Sequence, residues 1–563
     1  MRMHLLMALL ALLPVQISPS AQNPASSLKD GVIEVTVRDS ATRAPIPGAR
    51  ITFVFQQSPP PNIVTYVNAD QAGHAVFRDL AMGTYAVNAQ RDGYIDNIAA
   101  TFRQPVIINA EKKVFSVDVT LTRGATLGGH ILDPNGVPIA RAGVTLSALS
   151  YRNGRPTIAR VPTAGSSQTD DRGEYRLIGL APGDYYVQAE LRRSGEQLQT
   201  GVWDDFPRVT FYPGVVDPKR AAKITIGGSQ DLASIDMKVP VVTSFKISGS
   251  VINSLPGGRS MPNGQVSREV GSYYLGSTDP DSLEDPILVQ STLAPSKNPE
   301  ESIFEISGVL PGTYYLYPLF DTGAGALSFV TSRTPVTVTD HDVDGLRIVL
   351  KANSEIKGRL VIDGSTAAVP LNMARVSLRP KDRMPTLLGG AGAGVSAIAD
   401  PNTGEFALTN VPEARFGVLV APLPPNAYVS DVRQAGRSVF NDGMIPDSTQ
   451  PLEIEIRTNA ASIQGTVRNA AGEPAVRSAV VLIPSAARQN VQLYKRATTD
   501  MNGEFRLTGI APGQYKAFAW SGTPAGQAEE NAQYISQFEN RGTLVNVMAG
   551  ASMPVSLTVI PLP

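Results

Sequence analysis

The residues with the most obvious chemical potential are the four histidines, because paired imidazoles with a glutamate form the usual zinc site of a peptidase. His4 lies near the N-terminus, and His74, His130 and His341 lie far apart in the sequence. None of them stands in a His-x-x-Glu or His-Glu-x-x-His arrangement. We therefore interpret them as ordinary turn or strand residues, and we predict no metal site.

Other catalytic signatures are missing as well. A serine hydrolase with a nucleophile elbow needs Gly-x-Ser-x-Gly, and no such run occurs. Glycines 389, 390, 392 and 394 are not followed by the Lys-Ser/Thr pair of a phosphate loop. A carboxylate pair for glycoside hydrolysis leaves no mark in sequence spacing, but small domains offer no large cleft to hold one. The sequence therefore predicts a protein that is not an enzyme and that has no catalytic residues and no cofactor.

Several turns carry aspartates that could be compared with calcium loops. These residues are Asp70, Asp170, Asp171 and Asp500. They lack the ligand-rich spacing of a calcium loop, and an aspartate in a turn commonly accepts hydrogen bonds from the backbone of that turn. We interpret them as turn residues.

Five aromatic residues are candidates for stacking against a ligand. Tyr315 and Tyr317 alternate with predicted core positions along one strand, and Phe518 and Trp520 do so along another. Trp203 lies in a long connection. Rings on the outer face of a sheet either form a platform for a ligand or pack beneath another segment.

A covering segment is at hand for Phe518 and Trp520. Residues 529–540 predict a short helix with Tyr534, Ile535 and Phe538 on one side. Ligand stacking and internal packing both stay open for the outward aromatic residues.

The elements that would position these side chains repeat along the chain. A Gly-containing turn, a short apolar strand, a second turn and an aromatic residue occur together five times, about one hundred residues apart. The aromatic residues are Tyr85, Tyr185, Tyr314, Phe416 and Tyr515. The second turn is Pro-Gly in three copies, Met82-Gly83 in the first and Pro412-Glu413 in the fourth. We regard the fourth copy as degenerate. Each copy then ends in an alternating apolar and polar run, which predicts a strand with one buried face.

We therefore predict an all-β chain: a tandem array of about five small antiparallel β-sandwich domains after a signal peptide. The predicted boundaries are 1–21 for the signal peptide, 22–30 for a linker, 31–123 for repeat 1, 124–241 for repeat 2, 242–352 for repeat 3, 353–458 for repeat 4 and 459–563 for repeat 5.

The N-terminal segment has the features of a secretory signal. Arg2 precedes an apolar run from Leu5 to Leu13, and small residues at Ser20 and Ala21 predict cleavage there. No later run approaches the roughly 20 apolar residues that span a bilayer, so we expect no transmembrane segment after signal removal. The chain has no cysteine, hence no disulfides and no lipid-anchored cysteine. These features predict an exported bacterial protein, in the periplasm, outside the cell or on its outer surface.

The charge balance bears on the class of partner. Forty-nine basic and fifty acidic residues leave a net charge of −1, so there is no overall field that would gather nucleic acid. We expect a protein or a polysaccharide outside the cytoplasm as the partner.

The repeated phrases resemble the carboxypeptidase regulatory-like domain family. The resemblance is strongest in Gly173-Glu-Tyr-Arg-Leu-x-Gly-Leu-Ala-Pro-Gly-Asp-Tyr185 and in Gly503-Glu-Phe-Arg-Leu-x-Gly-Ile-Ala-Pro-Gly-Gln-Tyr515. The resemblance implies a prealbumin- or transthyretin-like, Ig-like sandwich that overlaps the carbohydrate-binding-like fold grouping, and it implies an accessory role.

The leading hypothesis is a non-catalytic binding or scaffold protein that contacts a protein or a cell-surface polymer. One alternative is a carbohydrate-binding protein, and a second is an accessory or regulatory part of a peptidase system.

Overall fold

The computed structural model describes residues 30–56, 63–96, 105–161, 165–191, 206–253, 255, 259–260, 266–267, 272–279, 281–284, 286–294, 300–321, 327–329, 333–363, 374–384, 395–524 and 526–562. These residues are nearly all β-strand or connections between strands, which confirms the predicted fold class. The predicted signal peptide and the glycines at 389–394 lie outside the described residues, as does nearly all of the predicted linker.

The strands of repeats 1 and 2 are short and closely spaced, as the turn signals predict. Repeat 1 contains β1 (Gly31–Asp39), β2 (Arg50–Gln56), β3 (Ile63–Asn68), β4 (His74–Leu80), β5 (Gly83–Gln90), β6 (Val106–Ile108) and β7 (Val114–Leu121). Repeat 2 contains β8 (Ala125–Leu132), β9 (Gly143–Arg152), β10 (Arg155–Arg160), β11 (Ser166–Gln168), β12 (Glu174–Leu180), β13 (Gly183–Glu190), β14 (Val209–Phe211), a 3-10 turn (Pro218–Arg220), β15 (Ile224–Ile226), β16 (Asp231–Leu232) and β17 (Met237–Lys238).

Repeats 3 to 5 continue in the same way. Repeat 3 contains β18 (Phe245–Ile252), β19 (Arg259–Ser260), β20 (Val266–Ser267), β21 (Ser272–Ser277), β22 (Ile287–Gln290), β23 (Thr292–Ala294), β24 (Glu301–Val309), β25 (Gly312–Asp321), β26 (Leu327–Phe329), β27 (Thr334–Val338) and β28 (Val343–Val349). Repeat 4 contains β29 (Ser354–Asp363), β30 (Arg375–Pro380), β31 (Ser396–Ile398), β32 (Glu405–Val411), β33 (Phe416–Ala421), β34 (Tyr428–Gln434), β35 (Arg437–Ser438) and β36 (Leu452–Arg457). Repeat 5 contains β37 (Ala461–Arg468), β38 (Ala479–Pro484), a 3-10 turn (Val491–Leu493), β39 (Lys495–Thr498), β40 (Glu504–Ile510), β41 (Gly513–Trp520), a 3-10 turn (Ala528–Glu530), helix α1 (Ala532–Ser536), a 3-10 turn (Glu539–Arg541), β42 (Thr543–Val547) and β43 (Ser552–Thr558).

Two main sheets form each repeat, and repeat 3 adds a two-stranded sheet of β19 and β20. In repeats 1, 3, 4 and 5 the first strand pairs in the same way. In repeat 5, β37 pairs antiparallel with β40 and parallel with β43, and the second sheet has the order β39-β38-β41-β42. In repeat 1, β1 pairs antiparallel with β4 and parallel with β7, and the second sheet has the order β3-β2-β5-β6. The sandwiches are therefore antiparallel apart from a parallel pair between the first and last strands. That pair is possible because the chain passes through the other sheet between them.

Each sandwich buries the inward residues of both sheets in its own core. Buried apolar clusters lie within residues 33–121, 247–350, 356–456 and 461–557. The recurring tyrosine packs against this core, and in repeats 1, 3 and 5 its hydroxyl also donates to a carbonyl oxygen four residues earlier. The oxygen–oxygen distances are 2.8 Å from Tyr85 to Ala81, 2.9 Å from Tyr314 to Leu310 and 2.9 Å from Tyr515 to Ala511. The tyrosine thus anchors the turn that precedes it.

The aspartate turns are held by backbone hydrogen bonds. In repeat 5, Asp500 Oδ1 accepts the backbone N–H groups of Asn502 and Glu504, both at 2.8 Å. Asp70 and Asp170 make the same pair of hydrogen bonds in repeats 1 and 2. Gly503 has φ +72°, and a Cβ there would lie 2.6 Å from the carbonyl oxygen of Val467, so the turn requires glycine.

The chain divides into two compact units. One runs to residue 126 and includes 178–181 and 228–230, and the other contains the rest of the chain to residue 563. Most of repeat 2 and all of repeats 3, 4 and 5 therefore lie in this second unit. Alternating sequence patterns reveal each sandwich separately, whereas contacts between repeats depend on side chains outside those patterns.

Candidate functional sites: outward aromatic faces and the junction between repeats

Phe518 and Trp520 lie on the outer face of β41 and are buried. Their exposed fractions are 1% and 0%, and their rings stack with centroids 5.5 Å apart. Phe538 packs edge-on against Trp520 at a centroid distance of 5.9 Å. Ile535 is buried in the same cluster, with Tyr534 packed against it.

The segment over this face begins as a capped helix. Asn531 precedes α1, and its side-chain oxygen accepts the backbone N–H of Tyr534 at 2.8 Å, as expected of an N-cap residue. After the helix, Glu539 accepts hydrogen bonds from Arg488 at 2.9 Å and from Lys516 at 2.6 Å. These hydrogen bonds, that of Arg488 first, lower the pKa of Glu539 to about 2. Glu539 thus fixes the C-terminal end of the covering segment to the sandwich beneath it.

Internal packing accounts for where these two rings lie. A stacking role for Phe518 and Trp520 toward a ligand stays a prediction.

Tyr315 and Tyr317 lie on the outer face of β25, beside a segment of repeat 4. Tyr317 is 6% exposed, and its hydroxyl donates to the carbonyl oxygen of Arg383 at 3.1 Å. Burial raises the pKa of Tyr317 to about 12. Tyr315 is half-buried, with the guanidinium of Arg333 4.7 Å from its ring centroid. Arg333 in turn pairs with Asp382 of repeat 4 at 3.0 Å.

Both outward aromatic pairs therefore contact other parts of the same chain. Trp203, the remaining candidate for ligand stacking, lies outside the described residues. Its role, like that of Tyr315 and Tyr317 toward a ligand, stays a prediction.

Arg379 at the end of β30 joins repeats 2, 4 and 5. Its Nε donates to Asn153 Oδ1 of repeat 2 at 2.8 Å, and its Nη2 donates to Gln527 Oε1 of repeat 5 at 2.9 Å. It also forms an ion pair with Glu530, in which the side chains are 15% and 3% exposed. Glu530 is shared with Arg496, which donates to it at 2.6 Å. Each charge in this cluster thus has an opposite charge beside it, as a buried charge requires.

Repeats 2 and 5 also contact each other directly around this ion pair. Asn531 Nδ2 donates to the carbonyl oxygen of Gly154 at 2.9 Å, and the backbone N–H of Gln527 donates to the carbonyl oxygen of Tyr151 at 3.2 Å. The ring of Tyr151 packs edge-on against Tyr534, with centroids 5.6 Å apart. The outer side of the segment that covers Phe518 and Trp520 is therefore part of this contact.

Arg383 makes a second contact, among repeats 2, 3 and 4. Its guanidinium donates to the carbonyl oxygens of Ser282, at 2.5 Å, and of Glu284. Leu283 lies between these two residues, and its carbonyl oxygen accepts the backbone N–H of Ile158 at 2.8 Å. Sequence analysis singled out neither Arg379 nor Arg383. Arg379 lies next to the last residue of β30, Arg383 lies in the connection that follows this strand, and no spacing pattern marks either of them.

The histidines lie apart from one another. His130 contacts Asp236 at 3.0 Å and His341 contacts Asp340 at 2.8 Å, in different repeats. Across the part of the chain that the structure describes, no group of three or more His, Asp or Glu side chains is arranged to hold a metal ion. The same residues contain no helix long and apolar enough to cross a membrane.

Comparisons with known proteins bear on the family. The carboxypeptidase regulatory-like domain model matches residues 32–122 and 462–537, in repeats 1 and 5. Of the two repeats with the strongest sequence resemblance to this family, repeats 2 and 5, the model matches repeat 5, and it also matches repeat 1. No curated protein matches the sequence.

Solved structures with detectable likeness include two bacterial pilins. The Bacillus anthracis TIE protein is 11% identical at a TM-score of 0.15, over 57% of this chain and 51% of that one, so this chain spans about half its length. The Streptococcal ancillary pilin is 13% identical at a TM-score of 0.19, over 57% of this chain and 98% of that one. BcpA, the major pilin subunit of Bacillus cereus, is 11% identical at a TM-score of 0.15, over 57% and 99%. Likeness at these TM-scores carries no conclusion about function. The chain does contain two regions that match the carboxypeptidase regulatory-like domain family, one in repeat 1 and one in repeat 5.

Proposed function

We propose that this chain is an exported, non-catalytic scaffold that holds several β-sandwiches in fixed relation and uses them to contact a protein or a cell-surface polymer. The matched family implies an accessory role, and the sequence carries no catalytic motif to set against it. The N-terminal segment supports export.

The observation that carries the proposal is the use of charged and aromatic side chains to join repeats. An isolated β-sandwich gains nothing from burying Arg379 and Glu530, since taking two charges out of water costs several kcal/mol per ion unless each is well paired. Arg379 and Glu530 come together, and Arg379 makes its further hydrogen bonds, only because repeats 2, 4 and 5 meet there. A fixed arrangement lowers the entropy that a multivalent surface loses on binding a large partner.

Binding and turnover are measured on one preparation of the purified chain, residues 22–563. The chain is immobilised and exposed to a bacterial envelope extract and, separately, to insoluble polysaccharides. We expect saturable retention of one envelope protein or one polymer, and no release of product from peptide or glycoside substrates. Retention of a polysaccharide would select the carbohydrate-binding alternative, and co-purification of a peptidase would select the regulatory one.

The control is a variant whose repeats are no longer joined. Arg379→Glu places like charges beside Glu530 and should weaken retention, whereas Arg437→Gln alters an exposed residue of the same repeat and should leave retention unchanged. Product release in proportion to protein concentration, or no retention of any component, would contradict the proposal.

A further inference from the structure

A pocket of about 370 Å³ lies within the second unit, where repeats 2, 4 and 5 meet. We call it the junction pocket. Its volume falls within the range of about 300–1,000 Å³ that is usual for small-molecule sites. Four cationic side chains line it, namely Arg155, Arg379, Lys381 and Arg488, against two carboxylates, Asp442 and Glu530. The pocket is therefore basic, although the whole chain is close to neutral.

Two of the four cations have carboxylate partners. Arg379 pairs with Glu530, and Arg488 donates two hydrogen bonds to Glu539 at 2.9 and 3.2 Å. Their charges are largely offset, so they shape the pocket more than they attract an anion.

Arg155 and Lys381 are the cations available to a ligand. Arg155 donates to the carbonyl oxygen of Lys381 at 2.6 Å, and Lys381 Nζ donates to the carbonyl oxygen of Asn441. Among the described residues neither has a carboxylate within ion-pair distance. A guanidinium has five N–H donors, so Arg155 keeps most of them for a ligand. Burial lowers the pKa of Lys381, which an anion bound beside it would counteract.

Neutral hydrogen-bond donors surround these cations. Asn153 accepts from Arg379 through Oδ1, which leaves the N–H groups of its side-chain amide without a partner among the described residues. Asn441 Oδ1 accepts from Asn490 at 3.1 Å, and the N–H groups of the Asn441 side chain likewise have no partner among the described residues. Phe440 adds one aromatic wall. Amide donors with an aromatic ring suit a ligand that bears hydroxyl groups on an apolar ring skeleton, and the two cations suit an anionic substituent.

We propose that the junction pocket binds a sugar residue that carries a carboxylate or a phosphate group. Arg155 and Lys381 hold the anionic group, while Asn153 and Asn441 pair with hydroxyl oxygens. This deepens the proposed function and rests on it, because acidic sugars belong to the surface polymers that such a scaffold would contact.

Isothermal titration calorimetry on residues 22–563 tests the proposal. The probes are glucuronate, glucose 6-phosphate, glucose and inorganic phosphate, at low ionic strength. We expect saturable binding of one or both charged sugars, at least about tenfold tighter than glucose, the effect of one charge-assisted hydrogen bond. Glucuronate and glucose 6-phosphate distinguish a carboxylate from a phosphate ligand. Inorganic phosphate that binds as tightly as the best sugar would overturn the assignment to a sugar.

Variants locate the binding. Arg155→Gln should weaken the charged sugars about tenfold, and Arg437→Gln, an exposed arginine of repeat 4 outside the pocket, should leave them unchanged. Lys381→Gln is the second variant, with the same expectation, should the first not fold. Hydrogen exchange at residues 150–156 and 527–531 checks that the junction is intact in both.

Failure of this inference differs from failure of the proposed function. No binding of either charged sugar to the wild-type chain, or equal binding by wild type and both pocket variants, overturns the junction pocket as the site. If the wild-type chain binds no charged sugar but still retains its envelope component, the scaffold proposal stands and the junction-pocket proposal fails. If it neither binds a charged sugar nor retains an envelope component, both proposals fail.

Discussion

Repeats 1 and 5 match the same family model and have the same sheet order, but their outer faces differ. Strand β5 presents Asn88 and Gln90 on that face, both half-exposed, whereas β41 presents Phe518 and Trp520 at the equivalent positions, both buried. The inward residues of the two strands are alike: Tyr85 and Ala89 match Tyr515 and Ala519. Inward residues therefore make the sandwich, and outward residues decide whether another part of the chain packs on it.

Phe518→Ala should give the largest effect that separates the two repeats. We expect a loss of about 3–5 kcal/mol in the free energy of unfolding of repeat 5, because the ring leaves a cavity between β41 and the covering segment. Asn88→Ala, at the equivalent position of repeat 1, should change that repeat by no more than about 0.5 kcal/mol. Hydrogen exchange with mass spectrometry measures each repeat separately, since a chain of several domains need not unfold in one step. Equal losses in the two repeats would contradict the comparison.

Arg379→Met should come next, because it leaves the buried Glu530 with one cation instead of two. We expect about 3 kcal/mol less stability for the segment around residue 530, somewhat below the cost of breaking a fully buried pair, since Arg496 remains. The matched control is Arg359→Met, which removes an exposed pair with Glu453 and should cost about 0–1 kcal/mol. Comparable effects from the two variants, again by hydrogen exchange, would argue against a joined core of repeats 2, 4 and 5.

The dependence of stability on pH sharpens the comparison further. Because the pKa of Glu539 is lowered to about 2, the group contributes stability that is present above its unfolded pKa near 4.5 and is lost as the pH falls from there through about 2. Hydrogen exchange of the covering segment, followed from pH 6 to the lowest usable pH, should show this loss. Glu539→Gln should remove this part of the dependence, and an unchanged profile in that variant would assign the loss to other carboxylates.

The aspartate turns should give the smallest difference, because they are common to both repeats. Asp70→Ala and Asp500→Ala each remove two backbone hydrogen bonds, so we expect a similar loss of about 1–2 kcal/mol in repeats 1 and 5. A large loss in one repeat and none in the other, measured by thermal unfolding and hydrogen exchange, would show that these turns are not equivalent.

The sandwiches were predictable because their residues follow local rules. Alternation places Tyr515 and Ala517 inward, glycine is required where φ is positive, and Asp500 closes its own turn. The parallel pairing of β37 with β43 was not predictable, because it joins strands from the two ends of the repeat. The helix over Phe518 and Trp520 was foreseen from Tyr534, Ile535 and Phe538, since their spacing places them on one face.

The junction could not be predicted from the sequence. Arg379, Asn153 and Glu530 are separated by more than one hundred residues, and each is an ordinary polar residue in its own segment. Their proximity follows from the arrangement of whole sandwiches, which no local pattern encodes. The junction pocket has the same origin, because three repeats contribute its lining.

Engineered cysteines test the joining of repeats 2 and 5 most directly, since the chain has no cysteine of its own. The backbone N–H of Asn153 lies 2.7 Å from the side-chain oxygen of Gln527, so the thiols of Asn153→Cys and Gln527→Cys should lie close enough for a short bis-maleimide to join them within one chain. The control pair, Asn153→Cys with Met501→Cys, uses an exposed turn residue of the same repeat 5 and should not be joined by the same reagent. Faster migration of the first double variant alone on a non-reducing gel is the predicted result. If the first pair forms no more cross-link than the second, repeats 2 and 5 are not joined and the scaffold account fails.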